Sequence, residues 1–271
     1  VLSSWREPSE VIVVDDGSSD ETAKIAKTSE GVKVIRHNAN RGYGAALKSG
    51  IRKSIYPMIC ILDADGTYPV ERISDLLNEA SNSRFDMVVG WRRGSGAAVP
   101  ILRRPPKWFI RRLARVVVGH RIPDLNSGLR VFDRSTVLRF FNLLPDGFSF
   151  TTTLTLCMLT NGFLVGYVPI EYHLRIGKSK IRPIQDTLNF IQLVLRIALY
   201  FKPMRIFIPL SALLMLLAIA WGGFSAIVLG KLADVSTSVL VLAAVQAGVV
   251  GLLADLINKR FPTYFKSSDG E

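Results

Sequence analysis

Two long uncharged apolar segments near the C-terminus restrict the folds open to this chain more than any other feature. Residues 206–230 form a run of 25 residues without a charge, and residues 235–254 form a run of 20. As a helix, the first run would extend roughly 37 Å, and the hydrocarbon core of a bilayer is about 30 Å thick. The pattern predicts two transmembrane helices joined by a four-residue loop. A buried helical hairpin of a soluble protein is the alternative.

Basic residues flank this predicted hairpin and indicate its orientation. Those at its two ends are Lys202, Arg205, Lys259, Arg260 and Lys266. Because cationic residues stay on the cytoplasmic side, both ends of the hairpin and the domain before it are expected in the cytoplasm, at the plasma membrane in a prokaryote. Residues 183–204 contain an apolar helix with few charges, which we expect to lie along the membrane interface. The hairpin then occupies residues 205–258, and residues 259–271 form a basic cytoplasmic tail.

The first third of the chain alternates between short apolar strands and segments with helical periodicity. The predicted strands are residues 11–14, 32–37, 59–62 and 86–91. Strand and helix alternating at this spacing predict right-handed crossovers and an α/β fold with a mainly parallel sheet, covered by helices on both faces. Strands that are apolar throughout fit burial on both faces. We place this domain at residues 1–182.

Pairs of aspartates directly follow two of the predicted strands. Asp15 and Asp16 come after the first strand, and Asp63 and Asp65 come after the third. Open α/β sheets bind their ligands at the carboxyl ends of parallel strands. Two acidic pairs at one edge repel each other unless a cation or donor groups offset them, which favours a metal or ligand site. Ordinary turn and capping chemistry of Asp-Gly-Ser is the alternative.

The charge of the chain narrows its partners. Lys and Arg exceed Asp and Glu by 34 − 22 = 12, so anionic partners are expected. Residues 92–120 carry many of these basic residues in a loop and a predicted amphipathic helix, but no nucleic-acid recognition motif is present, so no nucleic-acid partner is expected. Cys60 and Cys157 lie in apolar runs without metal-ligand spacing and predict buried thiols in a reducing compartment.

The sequence Asp63-Ala64-Asp65-Gly66-Thr67 admits a second chemistry. An apolar strand followed by DxDGT is also the signature of haloacid-dehalogenase-type phosphatases, in which the first aspartate is the nucleophile. In such domains this strand comes first, whereas here two strand-helix units precede it. The dinucleotide and P-loop glycine motifs are absent. The phosphatase therefore stays a remote alternative.

Several motifs in order along the chain resemble one family. They are VIVVDDGSSDET (11–22), NRGYGAALKSG (40–50), DADGTYP (63–69), PDLNSGLRVF (123–132), GFSFTTTLTLCMLTNG (147–162) and VPIEYHLRIGKSK (168–180). With the paired C-terminal segments, they resemble family-2 glycosyltransferases of the GT-A fold, and among these the dolichyl-phosphate-mannose-synthase-like polyprenyl-phosphate glycosyltransferases. The resemblance covers nearly the whole chain and says little about which sugar is transferred.

The resemblance implies a role for each matching residue. It implies nucleotide binding by Asp15, Asp16, Gly42 and Asp63. Asp63 and Asp65 would form the DxD motif that holds Mg²⁺ or Mn²⁺ on the diphosphate, which agrees with the preference of hard cations for oxygen ligands. Asp124, Ser127 and Arg130 would lie near the donor sugar and acceptor, and the catalytic residues would be Asp65, Asp124 and Arg130. Binding of the acceptor phosphate is implied for Arg175, Lys178, Ser179 and Lys180.

The implied reaction is inverting, metal-dependent transfer of a sugar from a nucleotide sugar to a polyprenyl phosphate, undecaprenyl or dolichyl, at the cytoplasmic membrane face. Arg and Lys beside an interfacial helix fit such an anionic lipid acceptor independently. A saccharide acceptor remains open, although the QxxRW motif of processive synthases is absent. A non-catalytic membrane scaffold is the other alternative.

Two departures from the family pattern bear on function. The family's apolar first strand is absent and would lie between residues 11–14 and 59–62, so we expect this chain to be a fragment that binds nucleotide poorly. Thr67 stands where many related synthases carry Gln, which leaves a third metal contact open.

Overall fold

The computed structural model describes residues 8–93, 119, 122–147, 149–173, 183–228, 230 and 235–260. The chain divides into two compact units at about residue 190. The division falls inside a helix, a few residues beyond the boundary at 182 that the sequence indicates. The amphipathic helix expected after residue 93 lies almost wholly outside the described residues.

Strands and helices alternate in the first unit. The strands are β1 (Val11–Asp15), β2 (Val32–Arg36), β3 (Met58–Ile61), β4 (Met87–Arg93), β5 (Arg130–Asp133) and β6 (Val165–Glu171). The helices are α1 (Thr22–Thr28), α2 (Tyr43–Lys53), α3 (Ile73–Asn82), α4 (Arg134–Arg139) and α5 (Phe150–Thr160). A short 3₁₀ turn, Val70–Arg72, leads into α3. The α/β class and the four strands predicted before residue 94 are confirmed.

The strands form two sheets, one of which is mixed. β1 and β2 form a parallel pair, and the second sheet has the order β3-β5-β4-β6. β4 and β6 are parallel, but β5 runs antiparallel to both of its neighbours. The expectation of a mainly parallel sheet rested on the strand-helix alternation, which ends before β5.

The reversed direction of β5 helps to build the site. Its first residue, Arg130, pairs with Ile61 on one side and Val89 on the other. The chain segment that precedes β5 therefore lies at the carboxyl ends of β3 and β4, which is the edge where Asp63 and Asp65 follow β3. Residues 122–129 and the acidic pair thus share one edge of the sheet.

β1 and β3 are not hydrogen-bonded to each other in the described part of the chain. The described strands therefore form two separate sheets, with no hydrogen-bonded ladder between β1 and β3. Burial differs between β4 and β1. Met87, Val88 and Val89 of β4 are 0% exposed, whereas Val11 to Val14 of β1 are only half-buried. Of these two strands, only β4 shows the predicted burial on both faces, over its first four residues.

The core of this unit packs α3 and α5 around the second sheet. Leu76 of α3 contacts Val88, Val131 and Ile170. Cys157 of α5 is fully buried, and burial raises its thiol pKa. Burial also raises the pKa of the Cys60 thiol to about 12. Neither cysteine is disulfide-bonded. The predicted burial is confirmed for Cys157, whereas Cys60 is only partly buried. Both thiols stay protonated at neutral pH.

The second unit contains two helices that are long and apolar enough to cross a membrane. After α6 (Pro183–Phe201) come α7 (Met204–Val228) and α8 (Val235–Arg260). Their most apolar windows have mean hydropathies of 2.1 and 2.2, and only 6% and 11% of those windows is buried. Such exposure argues against the core of a soluble protein. Ser211 Oγ of α7 donates a hydrogen bond of 2.7 Å to the Ala244 carbonyl of α8, so the two helices pack as a hairpin.

Small residues allow these two helices to approach closely. A Cβ added at Gly251 would lie 2.4 Å from Cβ of Phe207, and one at Gly222 would lie 3.1 Å from a methyl of Thr237. Membrane helices associate through such small residues, because lipid supplies no hydrophobic driving force between them.

Candidate active site

The carboxylate of Asp15 closes the turn after β1. Asp15 is 2% exposed, and its Oδ1 accepts a hydrogen bond of 2.9 Å from the Ser18 amide. Arg36 Nε lies 3.2 Å from the other oxygen, Oδ2. Hydrogen bonds from Ser18, and then the charge of Arg36, hold the Asp15 pKa below its ordinary value. Asp15 is therefore a buried carboxylate anion that stabilises the turn after β1.

Asp16 fastens the loop that precedes α2. Its Oδ1 accepts from the Arg41 amide at 2.9 Å and its Oδ2 from the Gly42 amide at 2.8 Å. His37 Nδ1 lies 2.6 Å from the same Oδ1 and must carry the proton, since a carboxylate only accepts. Burial alone would raise the pKa of Asp16, but these donors outweigh it and lower the pKa. His37 also contacts Ser49 Oγ at 2.9 Å. No motif in the sequence analysis indicated His37.

Close backbone packing explains the two glycines at the start of α2. A Cβ at Gly44 would lie 2.1 Å from the Pro145 carbonyl oxygen, and one at Gly42 would lie 2.6 Å from that of Asp146. Gly42 also has φ +104°, which is unfavourable for other residues. The Ala45 amide donates to the Asp146 carbonyl at 2.9 Å. These contacts account for Gly42 structurally, and its implied role in nucleotide binding stays a prediction.

The two aspartates of the DxD motif have different surroundings. Asp63 Oδ1 accepts a hydrogen bond of 2.9 Å from the Tyr43 hydroxyl. The Asp63 carboxylate also packs against Gly128, where an added Cβ would lie 2.3 Å from Oδ2. Asp65 is exposed, and its Oδ1 accepts from the amide and hydroxyl of Thr67 at 3.2 and 2.5 Å. Thr67 itself is 1% exposed. Thr67 therefore stabilises the turn through its hydrogen bonds to Asp65.

The donor set at this turn fits a hard divalent cation. Within the described ranges, no cluster of three or more His, Cys, Asp or Glu side chains could hold a metal. The candidate ligands in this part of the chain are the two carboxylates of Asp63 and Asp65. Mg²⁺ keeps several waters and is usually bound through one or two carboxylates plus substrate phosphates. A pair of carboxylates at the sheet edge suits a metal that arrives with a diphosphate.

Asp124 is held in an ion pair with Arg92, at the end of β4. Arg92 Nε and Nη2 lie 2.8 and 2.9 Å from the two carboxylate oxygens, and the Asn126 amide donates at 3.0 Å. Burial alone would raise the pKa of Asp124, but Arg92 outweighs it and lowers the pKa. The Arg92 guanidinium also lies 5.3 Å from the ring centre of Tyr172. Asp124 is thus a weak base, and Arg92 is a residue that the motif analysis missed.

Arg130 is buried away from solvent. It is 0% exposed, and its guanidinium donates to the Ser127 and Leu125 carbonyls at 2.7 Å each and to the Thr155 hydroxyl. Burial lowers its pKa, and no ion pair to Arg130 is present in the described part of the chain. Ser127 is also fully buried. The structure therefore shows Arg130 supporting the loop before β5, and it shows no exposed atom through which the implied catalytic contact could be made.

The structure brings together Asp63, Asp65, Asp124 and Arg130 on one side of the molecule and Asp15, Asp16 and Gly42 at the neighbouring loop. The predicted acceptor-phosphate residues Arg175, Lys178, Ser179 and Lys180 lie outside the described residues. The described chain ends just before them at His173, whose amide donates to the Thr67 carbonyl at 3.0 Å. His173 therefore lies beside the DxD turn.

Gly128 offers a test of this packing. In a Gly128→Ala variant the new methyl would meet the Asp63 carboxylate at 2.3 Å, and Tyr43 restrains that carboxylate from rotating away. A shift of about 1 Å at a reacting site costs roughly 100-fold in rate, so we expect a loss of that order in kcat/KM of the reaction proposed below. The clash should also destabilise the fold by about 1–3 kcal/mol, so the kinetics are measured at a temperature where the variant remains folded. Unaltered kinetics would contradict the close packing of Asp63 on Gly128.

Comparisons with known proteins identify the family of this chain. The description "Glycosyl transferase family 2" matches residues 1–141, and "GtrB C-terminal hairpin" matches residues 202–259. The chain is 31% identical to a dolichyl-phosphate hexose transferase of Haloferax volcanii, over 64% of this chain and 74% of that protein. It is 26% identical to a dodecaprenyl-phosphate galacturonate synthase of Rhizobium johnstonii, over 95% of this chain and 79% of that protein.

Solved structures share the fold. Glucosyl-3-phosphoglycerate synthase from Mycobacterium tuberculosis, crystallised with Mn²⁺, uridine diphosphate and phosphoglyceric acid, superposes with a TM-score of 0.53. The two proteins are 19% identical, and the match covers 70% of this chain and 67% of the synthase. This likeness shows the GT-A fold. Together with the match over more than half of the sequence, it means that the chain belongs to glycosyltransferase family 2 and is a glycosyltransferase.

Proposed function

We propose that this protein transfers a sugar from a nucleotide sugar to a polyprenyl phosphate, with inversion at the anomeric carbon, at the cytoplasmic face of a membrane. The observation that carries the proposal is the placement of the Asp63 and Asp65 carboxylates beside residues 122–130 at one sheet edge, in a chain that ends in an apolar hairpin.

The donor side of the proposal rests on the DxD turn. Asp63 and Asp65 would hold Mg²⁺ or Mn²⁺, which neutralises charge on the departing nucleoside diphosphate. The fold neighbours were crystallised with Mn²⁺ and UDP-glucose. Asp15 and Asp16 lie in the adjacent loop, where we propose that they and Gly42 form part of the nucleotide pocket.

The acceptor side rests on the relatives and on charge. Three proteins similar to this chain have names that contain dolichyl, dodecaprenyl or undecaprenyl phosphate. Arginine binds phosphate with two parallel hydrogen bonds. The sequence after β6 contains three cationic residues and a hydroxyl that would bind the acceptor phosphate: Arg175, Lys178, Ser179 and Lys180. The apolar helices α7 and α8 would keep the protein at the bilayer that contains such a lipid.

The state of Asp124 also fits a phosphate acceptor. A sugar hydroxyl needs a general base, and a catalytic base works best when its pKa lies near the operating pH. Arg92 instead keeps the pKa of Asp124 low. A phosphate oxygen is already ionised at neutral pH and needs no base, so positioning and electrostatic stabilisation suffice. Direct attack opposite the leaving group gives inversion.

Transfer into lipid tests the proposal. The protein is expressed from its full reading frame, and its membranes are incubated with undecaprenyl or dolichyl phosphate, Mg²⁺ or Mn²⁺, and radiolabelled nucleotide sugars in turn. We expect label from one donor in the lipid fraction and release of that label by mild acid. No label is expected in the lipid when EDTA is present. The anomeric configuration of the product reports inversion. Label in a water-soluble saccharide, or no label from any donor, would contradict the proposal and favour a saccharide synthase or a scaffold.

A further inference from the structure

We propose that Tyr43 is a positioning residue for the metal-binding carboxylate: its hydroxyl fixes the orientation of Asp63 and so couples the loop after β1 to the DxD turn after β3. This inference rests on the proposed function, because it assigns the coupling to cation and nucleotide binding. Tyr43 was not among the site residues that the motifs indicated.

The first step is the contact itself. The Tyr43 hydroxyl donates to Asp63 Oδ1 at 2.9 Å, while the other oxygen, Oδ2, faces the backbone of Gly128. A carboxylate held at one oxygen by a donor and confined at the other by backbone has little freedom to rotate. A phenol has an ordinary pKa of about 10, so the Tyr43 hydroxyl keeps its proton and is a donor at neutral pH.

The second step is how the ring of Tyr43 is placed. Tyr43 is the first residue of α2, and its two neighbours along the chain are themselves fixed. The Gly42 amide is bonded to Asp16, and Gly44 packs against the Pro145 carbonyl with no room for a side chain. The phenol is therefore aimed from a rigid helix start, and its reach to Asp63 does not depend on a flexible loop.

The third step is the consequence. Asp16 binds the backbone just before Tyr43, and Tyr43 binds Asp63, so the two acidic pairs are joined through two consecutive residues. Hydrogen-bond partners of metal ligands orient those ligands, and their loss typically weakens metal binding or activity 10- to 100-fold. The Tyr43 hydroxyl occupies this position toward Asp63.

The test compares two tyrosine-to-phenylalanine variants. Tyr43→Phe removes the hydroxyl and keeps the ring. Tyr167→Phe is the matched control, because the Tyr167 hydroxyl is also buried and has no hydrogen-bond partner in the described chain. All variants are made in the protein expressed from its full reading frame. Binding of Mn²⁺ in the presence of UDP or GDP is measured by the electron paramagnetic resonance signal of free Mn²⁺. We expect about 10-fold weaker Mn²⁺ binding for Tyr43→Phe, and unchanged binding for Tyr167→Phe.

Kinetics and a double variant separate positioning from general packing. The Mn²⁺ concentration for half-maximal transfer should rise about 10-fold in Tyr43→Phe, with the KM for polyprenyl phosphate within twofold of the unmodified protein. In an Asp63→Asn background, Tyr43→Phe should add little, since the two residues act as one unit. Equal Mn²⁺ binding by Tyr43→Phe and the unmodified protein would overturn this inference alone. Absence of Mn²⁺ binding by the unmodified protein would overturn the proposed metal dependence together with it.

Discussion

Replacing Arg130 with leucine is expected to lower the unfolding temperature of the catalytic unit by about 6–12 °C. The guanidinium donates to the Leu125 and Ser127 carbonyls in a region closed to solvent. Each carbonyl left without a donor costs about 1–3 kcal/mol. Removing a buried charge that has no ion pair in the described chain returns part of this cost. We expect a net loss of about 3 kcal/mol, and each kcal/mol shifts the unfolding temperature by about 2–4 °C for a unit of this size.

Two further variants separate support of the loop from contact with substrate. Arg134→Leu is the matched control, because Arg134 also donates to two carbonyls, those of Ile51 and Arg52, but is less buried. Its expected shift is a few degrees. Arg130→Lys keeps the charge but lacks the planar fork of donors, and we expect it to lose stability and transfer together. If Arg130→Lys unfolds like the unmodified protein and transfers no sugar, Arg130 contacts substrate as the family resemblance implies.

The four strands before residue 94 and the two long apolar helices were predictable because their signals are local. Apolar strands of four to seven residues and uncharged runs of 20 or more residues need no partner to be recognised. The positions of Asp15 and Asp63 followed from where their strands end, since the carboxyl ends of parallel strands bind ligands. Local patterns therefore located the edge of the sheet that contains the site.

The partners of the site residues were not predictable, because each joins parts of the chain that are distant in sequence. Arg92 meets Asp124 across 32 residues, and Tyr43 meets Asp63 across 20. No periodicity encodes such pairs. The four residues of β5 lie beyond the strand-helix alternation, so neither this strand nor its antiparallel direction was predicted. The family resemblance therefore indicated Asp124 and Arg130. It did not indicate that Arg92 pairs with Asp124 or that Arg130 is fully buried.

The second large effect is expected for Asp65→Asn, which should reduce sugar transfer by about 100- to 1,000-fold or more. Asparagine keeps the oxygen that accepts from the Thr67 amide and hydroxyl, so the turn should retain its shape. It loses the negative charge, so the cation would be held more weakly and less precisely, and the departing diphosphate would lose stabilisation from that cation. Removing one preorganised stabilising group costs about 2.7–4 kcal/mol. Initial rates of lipid labelling at saturating Mn²⁺ measure the loss.

The chain contains a closely matched control for this substitution. Asp20, at the start of α1, accepts hydrogen bonds from the amide and hydroxyl of Thr22 at 3.0 and 2.5 Å, which is the same local geometry two residues apart. Asp20→Asn therefore removes an equal charge from an equivalent exposed turn outside the DxD motif. Both variants should unfold within about 1–2 °C of the unmodified protein, because exposed substitutions change stability by about 0.5 kcal/mol or less. If Asp20→Asn impaired transfer as much as Asp65→Asn, the loss would reflect net charge at the membrane surface. If neither did, the cation would be held elsewhere than at the DxD turn.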